Sequence, residues 1–208
     1  MRLLPAAAAL TAALAVWTLP ADAQSRGDWT VGIGFGYILP KDDNGSLLDG
    51  AADLEVGDNG RPTFTAEYFI WDNVGIELLA ALPFEHNLFS DDLGGQIGST
   101  KHLPPTLSLQ YHFPTGTAFT PFLGAGLNYT TFFDEDATGA IEGEDLSIGD
   151  SWGIAFHGGV DYAFGERGAF RADVRWIDID AEVKLNGDDI GDAEIDPWVF
   201  GVSYIYKF

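Results

Sequence analysis

Cysteine is absent from the 208-residue chain, which excludes disulfides and thiolate metal centres. Basic residues are scarce: 10 Lys and Arg stand against 32 Asp and Glu, a formal charge of −22. That balance lacks the basic footprint nucleic acid requires, so no nucleic-acid partner is expected. Helix-forming signals are few. Beyond residue 23 no apolar run reaches the roughly 18 residues of a spanning helix.

The start, "MRLLPAAAALTAALAVWTLPADAQS", reads as a secretory signal. Arg2 supplies the positive region, Leu3 to Leu19 the apolar stretch, and Ala21-Asp22-Ala23 a small-x-small cleavage site. A transmembrane helix is the alternative, disfavoured by the alanine content, Pro5 and Pro20. Residues 1–23 are therefore expected to be removed, leaving an exported chain from about Gln24.

What the chain does have is glycine (26 residues), aromatics (13%) and alternation. "DWTVGIGFGYILP" sets Trp29, Val31, Ile33, Phe35, Tyr37 and Leu39 on one face, with Thr30 and three glycines on the other. "DSWGIAFHGGVDYAF" and "FTPFLGAGLNYTTFF" repeat the pattern. Side chains alternate across a strand, so each segment has one greasy face and one small or polar face. Eight such segments lie near 28–40, 60–71, 73–86, 101–113, 119–133, 150–165, 168–183 and 195–208. "WDN", "PTGT" and "GER" are tight turns, and the other joints, 41–59, 87–100, 134–149 and 184–194, are long. Short turns on one side and long loops on the other mark an outer-membrane barrel.

The large residues are too many for the interior of an eight-stranded barrel, which barely holds its own side chains. Facing them outward to lipid resolves this. The fold expected is all-β, an eight-stranded antiparallel transmembrane β-barrel. A soluble sandwich or lipocalin-like barrel is the alternative. The last strand then places Tyr204, Tyr206 and Phe208 in an aromatic girdle. A terminal aromatic after alternating aromatics is also similar to the signal read by the outer-membrane assembly machinery.

Parity assigns the inward side chains. Phe69, Glu77, Leu79, Gln110, His157 and Arg175 are expected to line the channel, with Leu79 at an apolar constriction. Glu67, Glu77, Asp161 and Asp173 are expected to pair with Arg171 and Arg175, because buried charges need partners. Pro83, Pro104 and Pro105 fall on adjacent ends of strands three and four. Proline donates no ladder bond, so a lateral gap is expected between those strands, or else only a shaped loop mouth.

Several strings resemble the outer membrane protein W (OmpW) family: "NVGIELLAALPFEH", "KHLPPTLSLQYHF", "PFLGAGLNYTTFFDED", "DSWGIAFHGGVDY", "WIDIDAEV" and "DPWVFGVSYIYKF". The resemblance runs from about Trp29 to Phe208. It implies an outer-membrane barrel of a Gram-negative bacterium with a narrow, largely apolar channel that takes up small hydrophobic molecules, alkanes or aromatics in some relatives. It implies no enzyme. Arg175 stands where the family pattern carries an inward aromatic, which suggests tolerance of amphipathic or anionic solutes.

The long joints are acidic, which suits outer-membrane lipid and lipopolysaccharide bridged by divalent cations. "DEDATGAIEGED" spaces Asp134, Asp136, Thr138 and Asp145 as a twelve-residue Ca²⁺ loop would, with glycine at position six but a strand on each flank. A structural, adhesive or cation-binding barrel is thus one alternative to transport. An outer-membrane lipid-modifying enzyme is another. It would use His86 and His102 at the barrel mouth with Ser90, Asp91, Asp92, Ser99 and Lys101, although no nucleophile motif fixes such a geometry.

Overall fold

The structure is a computed structural model that describes residues 24–208. The expected leader, residues 1–23, lies outside the described residues. Eight antiparallel strands close into a barrel: Trp29–Leu39, Asn59–Trp71, Val74–Ala81, Thr106–His112, Phe119–Ala137, Ser151–Phe164, Gly168–Ile177 and Trp198–Lys207. The eighth closes on the first in unbroken register, Thr30 opposite Lys207 through Leu39 opposite Trp198.

Alternation decides which side faces lipid. The outward residues, among them Ile33, Phe35, Leu107, Leu123, Phe156 and Val202, are exposed around the whole wall. The inward ones include Glu67, Glu77, Gln110, His157 and Arg175, all buried. An apolar belt of this size is stable against hydrocarbon, where closure pairs every backbone polar group. Glycine makes room inside the narrow wall. A Cβ on Gly75 would strike the Glu67 carboxylate, and one on Gly124 the His157 ring.

The structure differs from the sequence reading above the membrane. Three of the expected strands are each two strands. The third barrel strand ends at Ala81, and Phe84–Ser90 turns away to pair with Gly95–Leu103. That hairpin leans on the upper end of the fifth strand, with Leu103 opposite Thr131. The short strand Glu55–Val56 adds to its other edge. The expected seventh strand breaks after Ile177 and resumes as Asp180–Leu185, which forms a hairpin with Asp188–Glu194. Leu146–Ile148, Ser46–Leu47 and Ala52–Asp53 complete that second sheet. The long joints are thus folded β structure rather than open loops. Side chains from both sheets meet in one apolar cluster that runs from Leu47, Leu88 and Ile148 down to Ile38, Ile177 and Val199 at the barrel mouth.

Candidate functional site

The interior has two storeys. The lower is a charged plug. Arg171 donates from Nε and Nη2 to the two oxygens of Asp161 (2.7 and 2.9 Å) and from Nη1 to Glu77 Oε2 (2.6 Å). Arg175 Nη2 donates to the other Glu77 oxygen (2.9 Å) and Nη1 lies 3.4 Å from Ser108 Oγ. The Arg171 guanidinium stacks 4.2 Å above the Phe122 ring. His112 Nε2 lies 2.9 Å from Glu67 Oε1, and His157 Nε2 donates to Gln110 Oε1 (2.7 Å). Phe69, wholly buried, sits below with its ring 5.3 Å from that of His112. Bonds among these groups join strands two, three, four, six and seven across the lower lumen.

At the upper edge of the plug a cavity of about 30 Å³ is bordered by Glu77, Arg171 and Arg175 of the plug itself and by Leu79, Val199, Phe122 and Asp173. Higher still, a cavity of about 20 Å³ is lined by apolar side chains alone, including Leu47, Leu54, Leu88, Ile97, Leu146 and Val183. Leu79 therefore stands at the boundary between storeys, with Val199 on the same cavity wall. Parity placed Phe69, Glu77, Leu79, Gln110, His157 and Arg175 inward, and all six lie there. It passed over Phe122, although Phe122 shares the inward face of Gly124 and Gly126. It also missed the upper apolar lining, whose signal was alternating Leu and Ile within the acidic joints.

The three prolines lie at one interruption of the wall. Barrel strands three and four pair from Val74 opposite Tyr111 up to Leu79 opposite Thr106. The next pair above is Phe84 opposite His102. From Leu79 to Phe84 is five residue steps, about 16 Å of strand without a cross-ladder. Each edge is tied backward instead. Leu82 N–H donates to Pro62 O (3.0 Å), and Arg61 Nε donates to Pro83 O (2.9 Å). Asn128 Nδ2 donates to the carbonyls of Pro104 and Pro105 (3.1 and 3.2 Å), and Tyr129 N–H donates to Pro105 O (3.1 Å). Arg61 and Asn128 are the clamps that sequence reading did not assign.

The remaining candidates fall elsewhere. Tyr204 and Phe208 are exposed on the wall near the tight turns, and Tyr206 meets Phe208 edge-to-face at 5.1 Å. Asp134 and Asp136 lie on the extended fifth strand, Asp134 paired with Lys101 (3.1 Å). Thr138 begins the 3-10 turn Gly139–Ile141, and the Asp145 amide donates to Asn186 (3.0 Å). The acids that do crowd within 4.8 Å of one another, among the described residues, are Asp180, Glu194 and Asp196. Lys41 already sits there, bonded to Glu194 (2.6 Å) and Asp196 (3.0 Å). The Glu194 hydrogen bond is the main reason its ammonium is pushed up to about 12. His86 and His102 do meet, but inside the apolar core, while Lys101 points outward to Asp134.

The OmpW family model matches residues 25–208. The chain belongs to the OmpW family. Outer membrane protein W of Vibrio cholerae is 40% identical over 93% of this chain and 94% of its own length. Outer membrane protein AlkL of Ectopseudomonas oleovorans is 27% identical over 88% of this chain and 84% of its own. The crystal structure of OprG from Pseudomonas aeruginosa superposes with a TM-score of 0.82 at 35% identity, covering 89% of this chain and 98% of OprG. As an OmpW-family barrel the protein resides in the outer membrane, and its lipid-facing belt is the physical counterpart of that placement.

Proposed function

We propose that this OmpW-family barrel admits small hydrophobic molecules from outside and releases them sideways into the outer membrane. The observation that carries the reading is the division of the lumen: apolar above, charged below, with the ladder interrupted at the boundary. A solute that leaves water for the upper apolar storey parts the side chains packed around its small cavity and gains about 25 cal/mol per Å² of buried apolar surface. It gains nothing by entering the plug, where it would displace paired charges. The break at 80–83 beside Leu79 offers lipid at the same depth, so the downhill route turns outward.

The test is uptake of labelled naphthalene or an alkane by cells lacking the protein, cells with wild type, and cells with Leu79→Trp, each barrel being verified as folded. Faster uptake with wild type, returned to background by the tryptophan, supports the conduit. Equal rates in all three strains remove these solutes from consideration.

A further inference from the structure

The hairpin that borders the ladder break is held by a contact that uptake itself does not use. His86 on Phe84–Ser90 and His102 on Gly95–Leu103 are 1% and 0% exposed, and their Nε2 atoms lie 2.9 Å apart. His102 belongs to the first pair above the break. The outward residues at this height, Glu85 and Lys101, are charged, so the pair stands above the hydrocarbon layer.

The protons on this pair can be placed. His86 Nδ1 bonds the Gly57 carbonyl, which only accepts, so Nδ1 carries hydrogen and Nε2 a lone pair. His102 Nε2 must then donate to it, which leaves His102 Nδ1 as a bare lone pair. That atom is buried without a hydrogen-bond partner. The His102 ring lies against Phe84 (5.6 Å) and, nearly parallel, Phe132 (5.5 Å). A proton arriving there would leave a buried charged N–H with no acceptor, a cost that contact with ring faces offsets only in part. Burial first, then His86, holds His102 well below the ordinary histidine value, and burial lowers His86 as well.

Charges on the packed elements do not offset this. Asp58 and Arg61 act on His86 in opposite directions. Glu85 pairs with Arg61 and Lys101 with Asp134, while Glu55 is exposed on the strand beside Phe89. Two ring nitrogens this close also suit neighbouring ligands on a metal ion, but two sealed ligands complete only half of a tetrahedral shell.

We propose that the His86–His102 contact is an acid-released latch: a fall in external pH frees the hairpin and widens the wall at residues 80–83. Only the consequence for uptake rests on the function proposed above. The closed pair excludes protons, whereas rings in an opened hairpin titrate near the ordinary value of about 6.5. Stabilisation by the neutral pair is therefore complete above about pH 6.5 and is lost as pH falls below it. One proton taken up on opening raises the open-to-closed ratio about tenfold per pH unit, and two raise it about a hundredfold.

The cysteine-free chain permits a direct measurement. Spin labels on Leu82→Cys and Leu107→Cys, two outward positions flanking the break, report its width by pulsed EPR in lipid nanodiscs between pH 7.5 and 4.5. A longer distance population should appear below about pH 6, reverse on neutralisation, shrink in His102→Phe, which keeps the ring stack but leaves only His86 to take up a proton, and be absent when His86→Gln is added to it. His102→Gln, whose amide can still donate to His86, serves the same purpose if the phenylalanine disturbs folding. An unchanged wild-type distance over this range, or the same acid response in the variants, overturns the latch. Acid widening without faster naphthalene uptake would keep the latch and count against the conduit.

Discussion

Glu77 receives two guanidinium groups on one carboxylate, and Arg171 spans Glu77 and Asp161. Each of these side chains is buried, so its charge is tolerable only because the others are present. Removing one member leaves an uncompensated charge. Arg171→Ala should cost about 3–5 kcal/mol of barrel stability, read as a lower midpoint in urea unfolding from lipid. Replacing Glu77, Asp161, Arg171 and Arg175 together by apolar residues of similar volume, which removes two charges of each sign, should cost much less. If Arg171→Ala alone unfolds at the wild-type midpoint, the network is not what fixes the lower barrel. At the break, Asn128 serves as a clamp through a single amide that reaches two proline carbonyls. Asn128→Leu removes both bonds, and it should raise amide exchange at Thr106 and Tyr129 by about tenfold, the equivalent of a typical hydrogen-bond loss of about 1–1.5 kcal/mol.

Elements above the membrane obey turn chemistry. Asn186 and Gly187 both adopt positive φ (54° and 86°) between strands that end at Leu185 and begin at Asp188. Asn-Gly in a two-residue connection is the favoured type I′ hairpin signal. Gly187→Ala meets no steric neighbour, yet it strains the backbone, so it should destabilise this hairpin locally by about 1 kcal/mol. Faster exchange confined to the Lys184 and Asp189 amides is the expected signature. The same hairpin shows what was legible in sequence and what was not. Period-2 runs such as Trp29–Leu39 identified all eight wall strands, because lipid on one side and a narrow lumen on the other enforce strict alternation. The family strings then carried the assignment. The upper sheets are not legible as separate elements: 84–86, 101–103 and 180–183 run on from wall strands in sequence, acidic residues dominate 134–149 and 184–194, and the inward Leu and Ile are spread over short strands from distant segments. Leu47, Leu146 and Val183 become one lining only after the barrel brings those segments together. The prolines marked the break, but the clamps from Arg61 and Asn128 needed the register of strands two and five.

Across the whole molecule, the proposed route would separate two properties that a pore joins: permeability to apolar solutes and permeability to ions. Ions require a continuous polar path along the axis. Here the upper storey is apolar, and the lower is occupied by paired charges with buried side chains spanning the wall. Wild-type protein in a planar bilayer should therefore show little conductance. Trimming the plug with Glu77→Ala, Asp161→Ala, Arg171→Ala and Arg175→Ala together removes two charges of each sign and opens the lower axis. Conductance should then rise, provided the upper apolar constriction admits water, and Leu79→Ser in the same background tests that provision by widening the boundary. Naphthalene uptake should not rise with it if the proposed exit at 80–83 holds, because a solute on that route never reaches the plug. A parallel increase in both would mean that solute and ions share the axis, and the sideways route would be lost. Independent responses would mean that the barrel keeps the outer membrane sealed to ions while its wall serves as the door.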